Sequence, residues 1–68
     1  MIGAPGNWTH EEIRNVVITV MEIRKEKCIH LDVEHADAAN IKMIVNYCKE
    51  LGYNAESRDF AEDVKVWR

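Results

Sequence analysis

Cys28, His30, Asp32 and Glu34 occupy every second position of one short stretch. Alternate residues of a β-strand point to the same side and lie about 6.5–7 Å apart, so neighbouring side chains there could converge on one ion. A Cys/His/Asp set suits zinc chemically. Structural zinc sites usually draw close ligand pairs from two segments, and the chain has neither a Cys-x-x-Cys nor a His-x-x-x-His pair. The ligand count therefore favours a solvated polar strand face, and no metal or cofactor is expected. The same stretch holds a candidate reactive thiol, because an imidazole at His30 could lower the pKa of Cys28. The plainer alternative is a small residue at the start of a strand. His10 and His35 have no evident partner and read as exposed cap and loop residues. Asp59, Glu62 and Asp63 flank a turn, where solvated acids are commoner than a paired-carboxylate catalytic site. No catalytic set emerges, and a non-enzymatic protein is expected.

The elements that must position these residues are legible from capping and periodicity. Thr9 is a good N-cap with Glu12 three residues on, a capping box, and Trp8 and Ile13 stand at the two positions of a hydrophobic staple. Glu11 and Glu12 suit the positive end of the helix dipole. Ile13, Val16, Val17, Val20 and Met21 follow the period of one buried helix face, with Ile23 at its edge. That predicts a helix to about Lys25. The run Val16–Val20 is rich in β-branched residues, so a hairpin of residues 15–23 against 28–34 competes; the agreement of cap and period favours the helix.

Residues 28–34 alternate strictly, with Ile29, Leu31 and Val33 inward. Asp37 can cap a second helix reaching Leu51, whose apolar stripe is Ala38, Ile41, Ile44, Val45, Cys48 and Leu51. Gly52 fits the left-handed stop, with Tyr53 packing back on Cys48. Residues 53–58 read as a strand with Tyr53, Ala55 and Ser57 inward, 58–62 as a turn, and 63–68 as a last strand with Val64 and Val66 inward. Cys48 is then a core residue and Cys28 an outer one, so no disulfide joins them. Residues 1–7, with Gly3, Pro5 and Gly6, read as an irregular, loosely held lead-in.

The order is α-β-α-β-β in one domain, 1–68. A crossover through the second helix joins the first two strands in parallel, and the last two form a hairpin. Each strand has a single apolar face, so both helices must cover the same side. The expected fold is a two-layer α/β (α+β) sandwich with two helices on one face of a small mixed sheet. At 68 residues it buries only about 60% of the surface of its unfolded chain.

Net charge is −3, from 12 acids against 9 bases. That opposes a nucleic-acid partner. The cluster Arg24-Lys25-Glu26-Lys27 is broken by an acid and reads as a solvated turn. No apolar run approaches a membrane span, no signal peptide is visible, and two cysteines make no disulfide framework. A reducing, cytoplasmic setting is the default.

From about Glu11 onward the order resembles the small sulfur-carrier family (TusA/SirA-like). The likeness lies in Ile29-His30-Leu31-Asp32-Val33, in Tyr47-Cys48-Lys49-Glu50-Leu51-Gly52-Tyr53 and in the closing hairpin. It implies a two-layer βαβαββ domain and, by analogy, sulfur-carrier or thiol-redox work. That family carries sulfur on a cysteine in a Cys-Pro-x-Pro motif at the start of its first helix. Here the region reads Asn7-Trp8-Thr9-His10-Glu11, so the fold carries over and the sulfur chemistry does not. Neither Cys28 nor Cys48 matches the family's active position; a carrier role, as the alternative reading, would fall to Cys28 beside His30.

If both helices lie on one face, the other presents His30, Asp32 and Glu34 beside Arg58, Lys65 and Trp67. A tryptophan on an open sheet is an interface-type residue. The expected role is an interaction or regulatory module that uses this face toward a protein partner or a second copy. Stacking of single-stranded bases on Trp67 is the weaker version, because acids surround it.

Overall fold

A computed structural model describes residues 6–68. Of the expected lead-in, positions 1–5 lie outside the described residues. Helix α1 spans His10–Val17. Thr9 Oγ1 accepts the Glu12 N–H at 3.1 Å while Glu12 Oε1 accepts the Thr9 N–H at 2.9 Å, so the capping box is complete. Helix rather than hairpin is the outcome for the β-branched run, because Ile13, Val17 and Met21 are all fully buried on one side. The helix continues as a π-helical segment, Ile18–Ile23, and ends at a left-handed Lys25 (φ 58°). Ile23, expected at the edge of the buried face, is 71% exposed.

Strand β1 spans Cys28–Asp32, helix α2 Ala38–Glu50, strand β2 Asn54–Arg58, and strand β3 Asp63–Trp67 after a 3-10 turn at Asp59–Ala61. Asp37 caps α2 by accepting the Asn40 N–H at 2.7 Å. At the other end the Tyr53 N–H reaches the Cys48 carbonyl (3.1 Å) and the Gly52 N–H that of Lys49 (3.0 Å). These are the two bonds of a Schellman motif, made possible by φ 98° at Gly52.

The fold is an α+β sandwich: Ile13, Val17 and Met21 of the first helix, Ile44 and Cys48 of α2, and Ile29, Leu31, Val64 and Val66 of the sheet form one apolar cluster. The sheet departs from expectation in its order, β1-β3-β2, with both ladders antiparallel. β1 and β2 do run parallel to each other, but β3 lies between them, so the sheet is antiparallel rather than mixed. β3 is the strand whose Val64 and Val66 are fully buried, and the central place pairs its backbone on both sides.

Four further expectations change. β1 stops at Asp32, because Asp32 Oδ1 accepts the Glu34 N–H (2.9 Å) and turns the chain; Glu34 therefore leaves the strand. Ala38 and Ser57, expected inward, are exposed. In Ala38's stead α2 buries Asn40, whose amide grips the main chain of Trp8 in both directions: Trp8 N–H to Oδ1 and Nδ2 to Trp8 O, each 2.8 Å. Nor is Asn7 loose: its amide donates to Asp37 Oδ2 and accepts the Asp37 N–H, both at 2.9 Å. The bond from Asn7 also holds the Asp37 carboxyl below its ordinary pKa.

Candidate functional site

The apolar cluster takes up one sheet face, and the strand register defines the other as three rungs. The first is Cys28–Trp67–Asn54, the second His30–Lys65–Glu56, the third Asp32–Asp63–Arg58. Of the expected face residues, His30, Asp32, Arg58, Lys65 and Trp67 are together. Glu34 instead lines a cleft of about 270 Å³ beside Val33, Ile41 and the β2–β3 turn.

The third rung holds the group that sequence reasoning missed. Asp63 was expected as a solvated turn acid, yet its side chain is 1% exposed. Arg58 closes over it, Nε donating to Oδ1 at 2.8 Å and Nη2 to Oδ2 at 2.6 Å. His30 Nδ1 lies 3.2 Å from Oδ2 and 2.9 Å from Arg58 Nη2. Nδ1 of His30 accepts from the Arg58 guanidinium in one tautomer and donates to the Asp63 carboxylate in the other. The Arg58 bonds hold the Asp63 carboxyl below its ordinary range and push the guanidinium further up. One residue from each strand meets in this cluster, so it ties the sheet together on its open side. A signal for it existed: Asp63 falls outward on the same alternation as Lys65 and Trp67, with Arg58 directly across the turn.

Two cations on this face stand over aromatic rings, while Glu56 on the second rung is exposed. Lys65 Nζ stands 5.4 Å from the Trp67 ring centroid, and the Arg58 guanidinium carbon 5.2 Å from that of Phe60, which is 86% exposed at the turn. Trp67 itself is half-buried. With His30 turned to Asp63 and Asp32 turned to Glu34, no group of three or more His, Cys, Asp or Glu among the described residues could hold a metal ion. His10, read as unpartnered, meets the Tyr47 ring edge-on at 4.6 Å. Far from this face, Tyr53 donates to Glu22 Oε1 at 2.6 Å, and Arg68 reaches Glu22 and the Met21 carbonyl. The Tyr53 bond lowers the Glu22 pKa and raises that of Tyr53.

Both thiols are free: Cys28 half-buried on the open face, Cys48 buried in the core. Burial pushes the Cys48 thiol up to about 11. Its thiolate fraction at neutral pH is then on the order of a hundredfold below that of an ordinary cysteine. A thiol reagent should therefore titrate one group promptly in the native protein and the second only on denaturation. Cys28→Ser should remove the fast phase. Two fast thiols in the native protein would contradict the buried position of Cys48.

No family model, curated protein or solved structure matches the chain. Among the described residues no helix is long and apolar enough to cross a membrane.

Proposed function

We propose that the domain is a non-enzymatic docking module that recognises a protein partner through its open sheet face. One observation carries this reading: Trp67 stands on the uncovered face among charges already engaged within it, Arg58 with Asp63 and Lys65 with the Trp67 ring. Covering paired charge forfeits less hydration than covering free charge, and a tryptophan is the side chain that most often anchors such a contact. The chain's acidic balance and the few free cations on this face favour protein over nucleic acid. Trp67→Ala should weaken partner capture at least tenfold, as expected of an anchor worth about 2 kcal/mol, while the thermal midpoint stays within a few degrees. Equal capture and an unchanged sedimentation profile of the complex would end this reading.

A sulfur-carrier or thiol-redox role is the second reading, favoured by the place of Cys28 on the same face, opposite Trp67 in the register. It requires Cys28 to react faster than a free cysteine at neutral pH, and ordinary reactivity removes it. The two free thiols suit a reducing, cytoplasmic setting.

A further inference from the structure

The two edges of the sheet are not equivalent. The Val33 N–H donates to the Glu62 carbonyl (3.0 Å) and extends the β1–β3 ladder, which sets its phase: Ile29 and Leu31 bond to Val66 and Val64. Bonding direction alternates along an antiparallel strand, so Asp63, Lys65 and Trp67 turn to β2, where Arg58, Glu56 and Asn54 answer them. The outward backbone groups are then those of Cys28, His30 and Asp32 on β1, and of Ala55 and Ser57 on β2. On β1 the Trp8 indole covers this edge, its Nε1–H donating to the Asp32 carbonyl at 2.9 Å. On β2 no hydrogen bond among the described residues reaches Ala55 or Ser57 from outside. Ala55 as a whole residue is only 8% exposed, and its outward N–H and C=O have no partner among the described residues, whereas native backbones pair nearly all such groups where they are buried. β2 has no proline or bulge at this edge; its short length and the charges of Glu56 and Arg58 are the blunting devices it does carry.

We propose that β2 pairs antiparallel with β2 of a second copy, with Glu56 on the two-fold axis, to give a continuous six-stranded sheet. In this register Ala55 and Ser57 exchange backbone bonds with Ser57 and Ala55 of the second copy. That makes four bonds and satisfies both outward residues. Arg58 lies opposite Asn54 of the second copy. The two Glu56 side chains meet at the axis, each flanked on its own rung by Lys65, so the middle row reads Lys–Glu–Glu–Lys. Sliding the pairing by two residues, with Ser57 on the axis, would set Glu56 against Arg58. It would also surrender two of the four bonds and leave Ala55 unpaired. The contact uses the edge of the sheet and leaves its open face free, so it stands or falls independently of the Trp67 reading.

The test is sedimentation velocity of the full chain over a range of concentrations, with circular dichroism to report folding. The wild type should shift from monomer to dimer as concentration rises. Ser57→Pro removes an outward N–H without touching a bond to β3, and it should abolish the dimer. Glu56→Gln relieves the like-charge contact and should tighten the dimer about two- to fivefold. In a Cys28→Ser background, Glu56→Cys should oxidise to a crosslinked dimer, because facing residues of a non-hydrogen-bonded pair stand about 4.5 Å apart at Cα. Ser57→Cys in the same background should not. A wild type monomeric at every concentration overturns the proposal and leaves the edge to a foreign strand. Crosslinking at Ser57 in preference to Glu56, or a dimer unaffected by a folded Ser57→Pro variant, overturns it too. If Ser57→Pro unfolds the domain, the cysteine pair decides.

Discussion

Replacing Trp8 by alanine should lower the thermal midpoint of the domain by about 12–40 °C. The side chain is 3% exposed, its indole N–H holds the Asp32 carbonyl at the edge of β1, and its main chain is gripped by Asn40 of α2. Truncating a buried aromatic typically removes about 3–5 kcal/mol. A domain of this size has roughly 3–10 kcal/mol in total, so the loss is between about a third and the whole of what is available. That fall in the midpoint follows at roughly 4–8 °C per kcal/mol. Trp8→Phe keeps most of the apolar volume and loses the hydrogen bond, which corresponds to about 1–2 kcal/mol. Thermal denaturation followed by circular dichroism separates the two variants. A Trp8→Ala protein melting within a few degrees of the wild type would show that this residue does not join the two helices to β1.

The second large effect is expected at Asp63. Alanine there leaves the Arg58 guanidinium without its bidentate partner, and breaking a buried pair from one side is costly. Arg58 is itself partly exposed, so about 2–3 kcal/mol is expected rather than the full range for a deeply buried pair. The same pair sets an acid dependence. The Asp63 carboxyl has a lower pKa folded than unfolded, chiefly through its bonds to Arg58. Its stabilising contribution is therefore complete above the ordinary carboxylate value near pH 4. It is lost as pH falls through the lowered folded value. Resistance of the wild type to urea should fall as the pH is lowered below about 4, and Asp63→Asn should show a shallower decline. The decline is reduced rather than abolished, because Glu22 and Asp37 are also held low, by Tyr53 and by Asn7. Identical acid slopes in the two proteins would refute a stabilising role for the buried carboxylate.

The contrast between these residues and the rest of the chain marks how far the amino-acid order reaches. Much of what depends on neighbours a few positions apart was legible in it, though the Asp32–Glu34 turn that ends β1 was not. The Thr9–Glu12 capping box, the Asp37 cap and the Gly52 stop are set by local backbone chemistry. The buried face of Ile13, Val17 and Met21 and the alternation of Ile29 and Leu31 follow from helix and strand periods. These suffice for the two-layer architecture and for placing His30, Lys65 and Trp67 on its uncovered side.

Three features depended on which segments meet across long separations, and only the folded chain decided them. β3 enters between β1 and β2, because a central place suits the strand with the most deeply buried apolar pair, and no local pattern encodes strand order. Asn40 sits among apolar residues of α2 because its amide completes the backbone of Trp8, 32 residues away. Asp63 is buried because strand order brings His30 and Arg58 to it from opposite sides. Read alone, each of these polar side chains belongs in water. The tertiary structure supplies the partners that make their burial stable.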